Sequence, residues 1–129
     1  MQIKRWEEGQ PAPQIGGVMH WVFWPGSGSR RLSLHHGVKL PGEAIAVHVH
    51  EGADDIVSVI QGRGVVVTPQ GEFPIEAGQS VWIPAGEPHG FRNTGDGPFV
   101  TLGCQSPPDF EMYRKRGFKF PGDPDAGGK

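Results

Sequence analysis

Two histidines separated by a single residue are the most informative chemical feature of the chain. His48 and His50 lie in an alternating segment, residues 43–51. Successive side chains of a strand point to opposite faces, so the two imidazoles share one face and can converge on a single ion. Ala44 and Ala46 lie on the same face and leave open volume beside the imidazoles. Taken alone, such a pair is also typical of polar residues on a solvated strand face.

A carboxylate and a third imidazole extend this set of donor atoms. Asp55 follows His50 by five residues, and His89 follows a rigid loop at residues 84–88, whose prolines fix where the chain re-enters a strand. Three imidazoles and one carboxylate are donors that hold Fe(II), Mn(II), Ni(II) or Zn(II), with positions left for a substrate or O2. Spacing by itself does not show that His89 meets the other donors, so this convergence is an expectation.

Two motifs in the middle of the chain carry a family resemblance. The first reads Gly42, five residues, His48-Val49-His50, four residues, Asp55, six residues, Gly62. The second reads Gly78, five residues, Pro84-Ala85-Gly86, two residues, His89, three residues, Asn93. The sequence therefore resembles a small single-domain cupin across residues 42–93. All the positions that the two cupin motifs specify agree except one, because the family usually has Glu where this chain has Asp55.

The resemblance implies a double-sheet jelly-roll barrel with little helix. It also implies one divalent transition metal ion held by His48, His50, the acidic position and His89. Because Asp is one methylene shorter than Glu, its carboxylate falls short of a position built for Glu. Three alternatives follow: Asp55 ligates the ion after a small backbone shift, Asp55 acts through a water, or three imidazoles hold the ion alone.

The elements that must position these residues are short strands. Runs rich in Val, Ile, Phe and Trp are punctuated by many of the 21 Gly and 13 Pro residues, which predicts an all-β protein with closely spaced turns. We predict strands at residues 18–24, 32–39, 43–51, 55–61, 65–68, 69–76, 79–83, 89–93 and 99–105, with the fourth and fifth forming a hairpin. A short helix is predicted at 109–116, an N-terminal arm at 1–17, the barrel at 18–120 and a disordered tail at 121–129.

Five further residues are candidates for the pocket. His35 and His36 are adjacent, so only one of them can face inward and contact a substrate. Trp82 and Phe91 are expected to pack in the core or to line the pocket. Asp109 follows the last predicted strand, where some small cupins that act on sugar acids bring an acidic residue to the pocket. The resemblance therefore implies Asp109 as a catalytic candidate for moving a proton, and a charge at the helix start is the alternative.

The residues between the histidines suggest how the protein associates. If the His48 and His50 face points into the barrel, Ile45, Val47 and Val49 point outward, and Ile56 and Ile60 do so by the same parity from Asp55. A contiguous outward apolar surface is more often an oligomer interface than open surface. We therefore predict a homodimer. The remaining partner is expected to be a small-molecule substrate.

Composition excludes several functional classes. Twelve Lys+Arg and 14 Asp+Glu give 12 − 14 = −2 at pH 7, so the positive charge expected of a nucleic-acid-binding protein is absent. No apolar run is long enough to cross a membrane, and charges occupy the first ten residues. One cysteine, Cys104, excludes an internal disulfide and fits a reducing compartment. The sequence predicts a cytoplasmic protein with neither nucleic-acid nor membrane partners.

Three functions agree with these features. The leading hypothesis is a metal-dependent enzyme acting on a small organic acid or carbonyl substrate, with an Fe(II)-dependent dioxygenase as the first choice. The first alternative is redox-neutral chemistry at the same ion, such as sugar-acid isomerisation, ring opening or lyase action, with Asp109 moving a proton. The second alternative is a non-catalytic barrel that binds or senses a small molecule.

Overall fold

A computed structural model of the chain describes residues 1–13, 16–121 and 123. The predicted tail at 121–129 therefore lies outside the described residues except at positions 121 and 123. The strands are β1 (Gln10–Pro11), β2 (Val18–Phe23), β3 (Ser33–Lys39), β4 (Ala44–His48), β5 (Asp54–Gln61), β6 (Arg63–Thr68), β7 (Gly71–Glu76), β8 (Ser80–Ile83), β9 (His89–Asn93) and β10 (Phe99–Ser106). One α-helix, α1 (Phe110–Lys115), and 3-10 turns at Trp6–Glu8 and Pro25–Ser27 complete the elements.

The strands form two antiparallel sheets. One sheet has six strands in the order β1-β2-β3-β10-β5-β8, and the other has four in the order β4-β9-β6-β7. This confirms the predicted all-β, double-sheet architecture with little helix. None of the described helical segments is long and apolar enough to cross a membrane.

Two apolar clusters stabilise the fold. The first lies between the sheets and joins Val57 and Val59 to Val66, Ile75, Ile83, Phe91 and Phe99. The second is aromatic and joins Trp21 and Trp24 to Tyr113 and Phe120. The Tyr113 ring meets the Trp21 ring edge-on, with the ring centroids 4.7 Å apart. Because the buried Tyr113 belongs to α1, the aromatic cluster fixes this short helix against β2.

The predicted hairpin between residues 55–61 and 65–68 is wrong. β5 pairs with β10 and β8, whereas β6 pairs with β7 and β9, so the two strands belong to different sheets. Gly62 joins them with φ at 81°, a left-handed conformation that favours glycine. A Cβ at this position would lie 2.2 Å from the carbonyl oxygen of Pro98. Gly62 therefore makes a corner that carries the chain from one sheet to the other.

Strand β4 contains an irregularity that decides which side chains face the barrel interior. Ile45 pairs with Phe91, but His48 pairs with His89, so β4 has one residue more than β9 between these pairs. This extra residue is a bulge at Ala46 and Val47, and it shifts the alternation by one. Ile45 consequently packs against the core cluster between the sheets. The prediction that Ile45 points outward is wrong, because it assumed unbroken alternation from residue 43 to residue 51.

Candidate metal centre

Three imidazoles from two parts of the chain meet at one point. His48 ends β4, His50 lies two residues beyond it, and His89 begins β9 directly opposite His48. One nitrogen of each ring lies within 4.8 Å of the corresponding nitrogens of the other two. The pairing of β4 with β9 therefore brings His89 to the other two histidines, although it is far from them in the sequence.

The backbone and one carboxylate fix how each ring is turned. His48 Nδ1 lies 2.8 Å from the Ala46 carbonyl oxygen, and His89 Nδ1 lies 2.9 Å from the Glu87 carbonyl oxygen. His50 Nδ1 lies 2.7 Å from Asp109 Oδ2. Carbonyl and carboxylate oxygens can only accept, so each Nδ1 carries the proton and donates it. In the neutral ring each Nε2 then keeps its lone pair, as in histidines that bind metals. Burial alone would lower the pKa of His89, but its contacts with Asp55 and Glu87 outweigh burial and raise it.

Asp55 lies beside these nitrogens and has one oxygen without a partner. Its Oδ2 is 3.6 Å from His50 Nε2 and 3.6 Å from His89 Nε2. The residue is 3% exposed, and its buried Oδ1 accepts no hydrogen bond among the described residues. A buried carboxylate oxygen without a donor is costly, and a bound cation removes that cost. The donor set therefore fits a divalent metal ion held by the three imidazoles, with Asp55 beside it.

Burial and mutual contacts set the charges of the site. Burial is the main cause that lowers the pKa of His48 to about 4, and the His89 and His50 imidazoles lower it further. Burial alone would raise the pKa of Asp55, but the imidazoles of His89 and His50 outweigh burial and hold that pKa below its usual value. Asp55 is therefore ionised and His48 neutral at pH 7, which are the forms that bind a metal.

The three imidazoles open into a large cavity. Its volume is about 1080 Å³, and residues of β3, β4 and β10 line it together with the segment from Pro107 to Arg116. Phe91 and His35, two of the predicted pocket residues, line this cavity. Burial is the main cause that lowers the pKa of His35 to about 4, so its imidazole is neutral at pH 7. The cavity therefore combines apolar walls with a few polar groups, which is typical of small-molecule sites.

Two other predicted pocket residues do not line the cavity. His36 lies on the opposite face of β3 from His35, and its ring stacks on Trp6 with the centroids 4.3 Å apart. Trp82 is 64% exposed and donates from Nε1 to Asp54 Oδ2 at 3.3 Å. The next residue, Ile83, is buried in the core, so alternation along β8 turns Trp82 outward.

Asp109 has a different place from that expected of a residue that moves a substrate proton. It is the N-cap of α1, where Oδ1 accepts from the Met112 backbone N–H at 3.1 Å. Its Oδ2 accepts from His50 Nδ1, so both oxygens are engaged. Burial alone would raise the pKa of Asp109, but its contacts with His50 and Met112 outweigh burial and lower it. Asp109 therefore positions His50, and it also places a charge at the helix start.

Sequence reasoning missed a buried lysine of the cavity. Lys39 ends β3, is buried, and lines the cavity. It follows His35 by four residues, so alternation along the strand places both on the inward face. That parity was the available signal. A lysine two residues before Pro41 and Gly42, residue types typical of turns, nevertheless resembles an ordinary surface residue.

Comparison with known protein families agrees with this architecture. The sequence profile described as Cupin domain matches residues 38–103. The chain is 39% identical over 96 residues to Protein SchB of Streptomyces halstedii, covering 74% of this chain and 70% of SchB. It is 33% identical over 93 residues to Polyketide synthase CurC of Streptomyces cyaneus, covering 70% of this chain and 59% of CurC.

A solved structure shows the same fold at comparable identity. TT1209 from Thermus thermophilus superposes with a TM-score of 0.68 at 32% identity, covering 84% of this chain and 99% of TT1209. Among four curated relatives, the matched part spans between 46% and 70% of the relative's own length, and for three of them it spans less than two thirds. The matched profile extends over half of the chain and contains all three histidines, and on this basis the chain belongs to the cupin family.

Proposed function

We propose that this protein is a metal-dependent enzyme that acts on a small organic acid or carbonyl compound by redox-neutral proton transfer. The observation that carries the proposal is the meeting of three imidazole nitrogens with the Asp55 carboxylate, whose Oδ2 lies 3.6 Å from two of them, at one end of the cavity. A Lewis acid and a proton acceptor side by side are what the removal of a proton next to a carbonyl group requires.

Different residues would bind the metal ion, transfer the proton and limit access of water. His48, His50 and His89 would hold the ion, which when bound supplies a Lewis acid for a substrate carbonyl or hydroxyl oxygen. Asp55 is ionised, and its carboxylate, whose Oδ2 lies beside the His50 and His89 Nε2 atoms, accepts the substrate proton and returns it. The buried rings of Phe91 and Trp21 line the cavity and limit water at the reacting carbon.

The relatives support a carbonyl substrate. CurC carries the name polyketide synthase, and polyketide chains are rich in carbonyl groups whose neighbouring protons are acidic. The resemblance to CurC and SchB extends over 70% and 74% of this chain and includes the region of the three histidines. Because the match spans only part of CurC, the substrate itself is part of the proposal.

Oxygenation at Fe(II) is the second candidate. The donor set favours it, because three imidazoles with one carboxylate leave positions at which O2 and a chelating substrate can bind side by side. The two candidates differ in their need for O2. Strict anaerobiosis would leave redox-neutral turnover unchanged and would stop oxygenation.

Metal content and proton exchange together test the proposal. Untagged protein purified without added metal is analysed for bound metals, and His50→Ala is expected to lose the metal while Phe73→Ala, on the exposed face of β7, keeps it. Exchange of the protons between the carbonyl groups of 1,3-diketones and 3-oxo acids is then followed in D2O by NMR without O2.

The expected result is exchange faster than in protein-free solution, with an excess rate that requires the metal and falls at least ~100-fold in Asp55→Asn, in line with the usual contribution of a general base. Turnover only in the presence of O2 would instead support oxygenation. Binding of these compounds without exchange or turnover would contradict catalysis and support a protein that binds or senses a small molecule. Wild-type protein without any bound metal would overturn the proposal.

A further inference from the structure

The cavity contains a second polar group besides the three histidines and Asp55, the side chain of Lys39. The residue is 6% exposed, yet its side chain lines the same cavity as the three histidines. Among the described residues, no hydrogen bond or ion pair reaches its Nζ atom, and the Asn93 side chain that contacts Lys39 uses the backbone carbonyl. Burial lowers the pKa of Lys39, and only the attraction of Glu43 opposes this effect.

An enclosed cation without a partner is costly for the folded protein. A buried ammonium group loses its hydration, and in most proteins a carboxylate or several acceptors compensate for the loss. Glu43 does not fill this role, because its Oε1 accepts from the Leu40 backbone N–H instead. Arg92, a cation on β9, pairs with Glu72 outside the barrel. The Lys39 ammonium is therefore available to a ligand inside the cavity.

The inner face of β3 connects the region of the three histidines with Lys39 along one wall of the cavity. His35, Gly37 and Lys39 alternate along this face, and His35 lies near enough to Asp55 and His50 for their charges to affect its pKa. Gly37 adds no side chain to this wall, and Thr101 of β10 lies opposite it. The four residues from His35 to Lys39 span about 13 Å of strand.

We propose that Lys39 binds a carboxylate of the substrate whose opposite end is held at the metal centre. The substrate class is then an elongated organic acid, with its carboxylate on the order of 10 Å from its other end, the scale that the rise of β3 between His35 and Lys39 suggests. Thr101 supplies a hydroxyl group midway along the molecule, and the apolar walls contact its hydrocarbon part. This inference rests on the proposed function for the metal end of the substrate but not for the carboxylate end.

Dicarboxylates of increasing length test the proposal by calorimetry. Zinc-loaded wild-type protein is titrated with succinate, octanedioate and decanedioate, and with octanoate and decanoate as compounds that lack the second carboxylate. We expect a long dicarboxylate to bind at least ~10-fold more tightly than its monocarboxylate, as a charge-assisted contact allows, and Lys39→Met to abolish this difference. Lys39→Arg keeps the charge and is expected to retain most of it.

Lys115→Met is the matched control. Lys115 also borders the cavity, but its side chain is 75% exposed and its Nζ lies 3.5 Å from Glu111 Oε1. Its removal is expected to leave dicarboxylate affinity unchanged. Equal affinities of Lys39→Met and the wild type for every dicarboxylate, or an equal loss in Lys115→Met, would overturn the proposal.

Thermal unfolding of the ligand-free protein provides an independent readout. Removing an unpaired buried charge is expected to leave the melting temperature of Lys39→Met unchanged or to raise it. Marked destabilisation of both Lys39→Met and Lys39→Gln would show that the ammonium has a structural partner and would contradict the proposal. In chelator-treated protein, benzoate binding that depends on Lys39 would support the inference even if the metal-dependent function fails.

Discussion

At the scale of single residues, the acceptor that each imidazole Nδ1 donates to fixes the orientation of the ring. Two of the three Nδ1 atoms donate to backbone carbonyls close in sequence, whereas His50 donates to the side chain of Asp109, 59 residues away. A carboxylate behind a ligating histidine increases the basicity of the ring and fixes its orientation. Asp109 thus links the orientation of His50 to the start of α1.

Shortening Asp109 tests this link. In Asp109→Ser the hydroxyl still caps α1, but it no longer reaches His50 Nδ1. We expect metal affinity to fall by about 10- to 100-fold, the usual effect of losing such a partner, while the melting temperature of the metal-free protein changes little. Competition with a chelating dye measures the affinity, and Glu111→Gln in the first turn of α1 is the control. Equal zinc affinities in Asp109→Ser and the wild type would contradict the link.

The sequence could predict the metal-binding candidates better than the other pocket residues. The sequence identifies His48, His50 and His89 because they lie at fixed distances from the glycines and prolines that form turns and mark the ends of strands. Local sequence determines those turns and strand ends. Trp82 was misplaced because an aromatic residue is normally expected inside, and only the parity of β8 turns it outward. The contact between Asp109 and His50 depends on the position of α1, which the aromatic cluster fixes by contacts between residues far apart in the sequence. A local sequence pattern does not predict such contacts.

At the scale of elements, the bulge in β4 allows both Ile45 and His48 to face the interior. The segment alternates without a break in sequence, so the extra residue could not be predicted from alternation. Gly90 lies opposite the bulge, and a Cβ there would lie 2.6 Å from the Ile45 carbonyl oxygen and 3.1 Å from Val47 N. The glycine permits the close approach of β4 and β9 at this point.

Gly90→Ala is expected to separate these strands. Its Cβ meets backbone atoms that cannot rotate away, so we expect a loss of about 2 kcal/mol or more in the free energy of unfolding. Because the same pairing holds His48 against His89, metal affinity should fall as well. Urea unfolding and zinc titration measure the two effects. The control is Gly97→Ala, where a Cβ meets nothing within 4 Å, and similar behaviour of both variants would contradict this role of Gly90.

At the scale of the whole molecule, the outer face of the six-stranded sheet has an apolar surface. Ile56 and Trp82 are paired neighbours on β5 and β8 and are 51% and 64% exposed, and Ile60 lies further along β5. Between them, the Ser58 and Ser80 hydroxyls are 2.7 Å apart and hydrogen-bonded to each other. One carboxylate, Asp54, lies on this surface beside Trp82, whose Nε1 donates to it, and the rest of the patch is apolar or carries hydroxyl groups. Such a surface is more often an oligomer interface than open surface. We therefore propose that the homodimer predicted from sequence forms through this sheet.

Sedimentation velocity at micromolar concentration tests the dimer. The wild type is expected to sediment with twice the mass of the chain, and Ile56→Asp as a monomer, because an aspartate buried in the interface would lose its hydration without gaining a partner. Phe73→Asp is the matched control, since Phe73 is 53% exposed but lies on β7 of the other sheet. A monomeric wild type would contradict the dimer, and dissociation by Phe73→Asp but not by Ile56→Asp would place the interface on the four-stranded sheet. Because the metal centre is inside the barrel, the Ile56→Asp monomer is expected to bind zinc as tightly as the wild type.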